Sequence, residues 1–190
     1  IWGNALPDNI DIQKIKNTLK ARILKDRLNG KCVALCGFMG CGKSSVAKKM
    51  YCEYNIDYLD TDSLITSHTG ISINKIFADY GEQYFRRLES EIIKNIDFSQ
   101  FKIISLGGGA VEIDKNVEIL KSNCVMVYID AKLDTILGRI SGDTRPLLAQ
   151  DIDKIKKLYS RRKKIYQSVC DITISGENSL SYICEEIINI

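Results

Sequence analysis

Residues 37–44 read Gly37-Phe38-Met39-Gly40-Cys41-Gly42-Lys43-Ser44, directly after the apolar run Cys32-Val33-Ala34-Leu35-Cys36. The pattern is G-x-x-x-x-G-K-[ST], set between a strand-like run and a helix-like one. Glycines let the backbone wrap closely round phosphate because no Cβ stands in the way. The loop amides point inward, and the next helix N-terminus adds positive potential. Lys43 is placed to reach the β- and γ-phosphates of ATP, and the Ser44 hydroxyl to hold Mg²⁺.

Outward from this loop, short runs rich in Val and Ile predict strands over 31–36, 57–60, 101–106, 125–130 and 172–174. Helical patterns lie over about 43–54, 73–96, 115–121, 133–141, 151–168 and 179–189. Such alternation predicts an α/β fold, a parallel sheet covered on both faces. Ligands then collect beyond the carboxyl ends of the strands, where the phosphate loop, Asp60 and Gly107 all fall. Before the first strand, Ile12, Ile15, Leu19 and Ile23 recur at helical spacing within 9–28, and Asn29-Gly30 ends that helix. A core domain is expected over 30–190, preceded by a helical extension or linker over 1–29.

The chain has 190 residues, 45% hydrophobic and 27% charged, with a net charge of +3. This is ordinary globular composition, and the charge is too small for a nucleic-acid binder. No run approaches the ~20 apolar residues of a membrane span, and no signal-peptide pattern occurs. The seven cysteines are odd in number and include no C-x-x-C pair, which argues against a disulfide framework or zinc site. Buried thiols in a reducing, cytoplasmic setting are expected. Cys41, inside the phosphate loop, has two readings: a small apolar filler, or a thiolate activated by Lys43 and the helix N-terminus. His68 reads as solvated. The chain opens on Ile1 rather than Met, as a piece of a longer polypeptide would.

Five further stretches carry chemistry. In Leu59-Asp60-Thr61-Asp62, two carboxylates leave one strand end; Asp60 is assigned to the metal and Asp62 to an acceptor hydroxyl. The plainer reading is a helix N-cap, with Asp62 capping. In Phe85-Arg86-Arg87-Leu88-Glu89, Arg86 and Glu89 share a helix face. A surface ion pair is one reading; the other has Glu89 holding Arg86 to grip a substrate carboxylate with its two-pronged donor. Gly107-Gly108-Gly109 weakens any regular element, which points to close backbone approach to a ligand rather than a mere turn. Gly138-Arg139 and Ser141-Gly142-Asp143-Thr144-Arg145-Pro146-Leu147-Leu148 look like a lid. There Arg145 faces the moving phosphoryl group, and Arg139 stacks on adenine. The basic run Lys154–Tyr166 is mostly a solvated helix face, from which one arginine can enter the site.

Taken in order, these motifs resemble shikimate kinase over about residues 31–190. The distinctive part is Asp60-Thr61-Asp62, Gly70-Ile71-Ser72-Ile73, Ile76-Phe77, Gly81-Glu82, Phe85-Arg86 and Glu89, followed by Gly107-Gly108-Gly109 and Arg145-Pro146-Leu147-Leu148. The resemblance implies transfer of the γ-phosphoryl of ATP to the 3-hydroxyl of shikimate, with Mg²⁺, on the way to chorismate and the aromatic amino acids. It implies a three-layer P-loop kinase fold, a five-stranded parallel sheet of order 2-3-1-4-5, a mobile lid and a monomeric domain. Lys43, Asp62 and Arg145 would be catalytic. ATP would meet Gly40, Cys41, Gly42, Lys43, Ser44, Ser45, Arg139 and Arg145, with backbone near Ser175 to Ser179 opposite Arg139. Ser44 and Asp60 would serve the metal. Asp62, Arg86, Gly107, Gly108, Gly109 and Arg162 would surround shikimate, Arg162 being chosen by the Arg-x-x-x-Tyr pattern ending at Tyr166. Lys164 stands where the family often has proline. Ile1-Trp2-Gly3, Pro7 and the helix after them resemble the end of a shikimate dehydrogenase, which suggests a fusion; an unrelated extension is the other reading. A gluconate-type kinase would not need two carboxylate-gripping arginines, and a non-catalytic regulator would not need Lys43, Asp62 and Arg145 together.

Overall fold

The computed structural model describes residues 11–100, 102–141 and 152–190. The elements are α1 (Ile12–Arg27), β1 (Cys32–Cys36), α2 (Lys43–Tyr54), β2 (Tyr58–Asp60), α3 (Thr61–Thr69), α4 (Ile73–Lys94), β3 (Ile103–Ser105), a 3₁₀ turn (Ala110–Glu112), α5 (Asp114–Asn123), β4 (Cys124–Asp130), α6 (Leu133–Ser141), α7 (Ile152–Val169), β5 (Ile172–Ser175) and α8 (Leu180–Ile188). The strands form one five-stranded sheet of order β2-β3-β1-β4-β5, with every pairing parallel. This is the order and class expected from the sequence.

β1 sits at the centre with all five residues buried, because helices cover both faces of a parallel sheet and strip away any polar alternation. Asp60 and Ser105 are register partners on β2 and β3. Hence the exits of β1, β2 and β3 lie side by side, bringing the phosphate loop, Asp60–Asp62 and Gly107–Gly109 to one edge. A smaller satellite core of Ile65, Ile76 and Phe85, with Leu88 and Ile92 against it, holds α3 to α4.

The structure adds detail at three stretches and breaks one expected helix. Residues 61–69 form a helix that periodicity did not reveal. Asp60, not Asp62, caps it, accepting from Ser63 N at 3.0 Å, and Gly70 closes it at φ 68. The helix expected over 73–96 is broken at Gly81, whose φ of 78 and ψ of 172 no helix contains. In α1 the apolar stripe faces outward: Ile12, Ile15, Leu19 and Ile23 are exposed. Leu24 and Leu28 instead enter the main core, so that core draws on residues before position 30. Lys20 bonds Glu185 on α8 at 2.6 Å, and Asn17 donates to Glu53 O at 2.9 Å. By contrast, α7 runs unbroken through Lys164. The expected lid falls largely on 142–148, outside the described residues, as does Arg145.

Leu24→Ala is expected to lower the unfolding free energy by about 2–5 kcal/mol in urea titrations. Leu19→Ala on the outer face should stay within about 0.5 kcal/mol. Equal effects would mean that α1 does not share the core.

Candidate active site

The loop between β1 and α2 turns through three left-handed glycines, Gly37 at φ 145, Gly40 at φ 76 and Gly42 at φ 108. Lys43 is buried and donates to Gly37 O at 2.8 Å and Phe38 O at 3.1 Å. Its ammonium thus lies across the loop it serves. A Cβ on Gly37 would stand 2.7 Å from Cys41 Sγ and 2.8 Å from Ile129 O. Cys41 is only 1% exposed, packed under the loop as a small filler packs; burial leaves a thiol reagent little access.

Ser44 Oγ donates to Asp60 Oδ2 at 2.7 Å and lies 3.3 Å from Ser105 Oγ. The two expected metal ligands therefore meet. A hydroxyl and a carboxylate are hard oxygen donors that suit Mg²⁺, which keeps several waters and takes the rest of its shell from phosphates. Thr61, fully buried, is a residue the motif reading passed over. Its Oγ1 accepts from Gly107 N at 2.8 Å, tying the exit of β2 to that of β3. Its place between the two aspartates was the only cue in the sequence.

Around the three glycines the residues expected to meet the acceptor converge. A Cβ on Gly107 would collide with Glu89 Oε1 and stand 2.8 Å from Asp62 Oδ1. One on Gly109 would collide with the Arg86 guanidinium, and one on Gly108 would lie 3.5 Å from Arg162 Nη1. Arg86 donates to Glu89 Oε2 at 2.6 Å and to Glu82 Oε1 at 3.2 Å; it is not a solvated surface pair, because Glu89 is 0% exposed. Burial pushes the Glu89 carboxyl up, with Arg86 opposing and Asp62 adding to the rise. Arg162, on α7, is 4% exposed. Tyr166, one turn on, donates to Gly108 O at 2.5 Å, which seats α7 on the loop. On the far side, Arg139 donates to Cys41 O at 3.2 Å and to Gly176 O at 3.0 Å. It thereby joins the phosphate loop to the segment expected opposite it. Glu112, which the sequence did not single out, contacts Arg161 and Arg162.

A phosphate loop on a central parallel strand, beside a carboxylate and two arginines gathered on glycine backbone, defines a P-loop phosphotransferase of the small-molecule kinase class. The family model described as shikimate kinase matches residues 39–190, and the chain belongs to the shikimate kinase family. It is 39% identical over 158 residues to a shikimate kinase of Dehalococcoides mccartyi, spanning 82% of this chain and 90% of that one. Its fold is similar to the crystal structure of shikimate kinase from Aquifex aeolicus, with TM-score 0.72, 35% identity, and 83% and 94% of the two chains covered. It is also similar to the Acinetobacter baumannii enzyme solved in complex with shikimate, with TM-score 0.78, 28% identity, and 87% and 95% covered. Among the described residues, no helix is long and apolar enough to cross a membrane.

Gly37→Ala combines backbone strain at positive φ with a clash against Ile129 O, which is backbone and cannot step aside. Calorimetry with a non-hydrolysable ATP analogue should show nucleotide affinity reduced about tenfold or more. Unchanged affinity would mean that the loop relaxes without loss of its phosphate cradle.

Proposed function

We propose that the protein transfers the γ-phosphoryl group of ATP to the 3-hydroxyl of shikimate, giving shikimate 3-phosphate and ADP. The observation that carries this reading is the convergence of Asp62, Arg86 and Arg162 on Gly107–Gly109, next to the loop that holds Lys43 and Ser44. The Acinetobacter relative, solved with shikimate, supports the choice of acceptor.

The chemistry then divides among the residues. Arg86 and Arg162 take the shikimate carboxylate; planar forks bind two oxygens at once. Glu89 and Glu82 fix the direction of Arg86, so little side-chain entropy is lost when the acid arrives. Glycines 107–109 let the ring lie against backbone. Asp62 orients the 3-hydroxyl toward the phosphate and accepts its proton as the oxygen attacks. Lys43, with Arg145 from outside the described residues, meets the charge on the moving phosphoryl group. The amides of Gly40, Cys41, Gly42, Lys43, Ser44 and Ser45 cradle the phosphates, and Arg139 lies beside adenine near Gly176. Ser44 and Asp60 would hold Mg²⁺, which when bound neutralises charge on the β- and γ-phosphate oxygens.

The same proposal places the enzyme in the cytoplasm, in keeping with cysteines that form no disulfide among the described residues, and has the kinase unit act as a monomer. A preceding dehydrogenase domain on the same polypeptide rests on the resemblance of residues 1–25, and the full reading frame decides it.

A coupled ADP-release assay with shikimate, quinate and gluconate tests the activity. Turnover with shikimate is expected, and no ADP release at millimolar shikimate overturns the proposal. Asp62→Asn should cut turnover by about 10²–10⁴ while ATP binding stays nearly intact. An equal loss of ATP binding would assign Asp62 a different role.

A further inference from the structure

Arg162 is held along one edge. Its Nε donates to Glu112 Oε1 and its Nη2 to Glu112 Oε2, both at 3.2 Å. Arg161 donates to the same Oε1 at 2.7 Å. Glu112 ends the 3₁₀ turn that follows the glycines, so the loop that shapes the pocket also carries this carboxylate. A guanidinium has five N–H donors in a rigid plane, grouped along two usable edges. Glu112 occupies the Nε–Nη2 edge. No hydrogen bond within the described residues takes Nη1, which lies 3.5 Å from where a Cβ on Gly108 would stand.

We infer that Glu112 is a positioning residue, fixing Arg162 by its Nε–Nη2 edge so that the Nη1 side is presented over Gly108 to the carboxylate of the acceptor substrate. This rests on the reading of Arg162 as a carboxylate grip. Two physical requirements point the same way. A guanidinium buried to this degree needs a counter-charge even when no substrate is bound, and Glu112 supplies it. A counter-charge alone would cancel the attraction for an incoming acid. Arg161 restores it, since two arginines share one carboxylate and leave the cluster cationic. The opposite arrangement, Glu112 as a stand-in that the substrate must displace, would put it on the edge facing Gly108.

The test is steady-state kinetics of Glu112→Gln and Glu112→Asp beside the wild type. Shikimate is compared with an analogue whose carboxylate is reduced to a hydroxymethyl group. For Glu112→Gln the expected result is a shikimate KM raised about tenfold, with the loss falling on KM rather than kcat. Glu112→Asp, which keeps the charge but reaches less far, should show a smaller rise. The variant-to-wild-type ratio should shrink toward one with the hydroxymethyl analogue. A lower Tm with unmoved shikimate KM, or a KM that falls, overturns the inference. If Glu112→Gln does not fold, Glu112→Asp decides alone, and an unchanged KM overturns it. Wild-type turnover of shikimate is read in the same experiment, so failure of the proposed activity shows there and failure of this inference only in the variants.

Discussion

The absence of side chains at Gly107 and Gly109 is the constraint on which the proposed acceptor half of the site depends. At Gly107 the space of the missing Cβ is taken by Glu89 and Asp62, and at Gly109 by Arg86, while Arg162 comes within ordinary contact of Gly108. These groups come from α3, α4 and α7, the last far downstream of the other two. They meet because β3 lies between β1 and β2 and delivers the glycines to the middle of the strand-exit edge. Thr61 locks the position from one side through Gly107 N, and Tyr166 from the other through Gly108 O.

Electrostatics then separates two carboxylates that look alike in sequence. Glu89 is sealed, and its Oε1 has no hydrogen-bond partner among the described residues; burial outweighs Arg86 and raises its carboxyl. For Glu112 burial also acts upward, but Arg162, Arg161 and Arg86 together hold it below the usual carboxylate range. The difference is one of neighbours rather than residue type. Glu89 trades solvation for a rigid grip on one arginine. Glu112 stays ionised among several, as a fixed counter-charge must.

Much of the fold was legible because its signals are local. The phosphate loop has a fixed spacing, the five strands are short apolar runs, and Arg86 and Glu89 share a face on one helix. Nothing in Thr61–Thr69 reads as a strong helix; it is rich in β-branched and small polar residues. It forms because Asp60 caps it, Gly70 closes it, and Ile65 is buried beneath it. For α1, periodicity gave the helix without saying which side meets the core, and its apolar stripe lies outward. Glu112 carries no motif, and its meaning comes wholly from a helix about fifty residues downstream. Contacts of that kind are set by topology and leave no spacing to read.

Under the proposed function the glycine loop serves the acceptor and not the nucleotide. Titration calorimetry of Gly107→Ala with shikimate and, separately, with an ATP analogue measures this directly. The new Cβ must displace Glu89, which is fully buried and has little room to retreat, and crowd Asp62. Shikimate binding should be lost while nucleotide affinity stays close to that of the wild type. Retained shikimate binding, or a matching loss of both ligands, would contradict the division of the site proposed here.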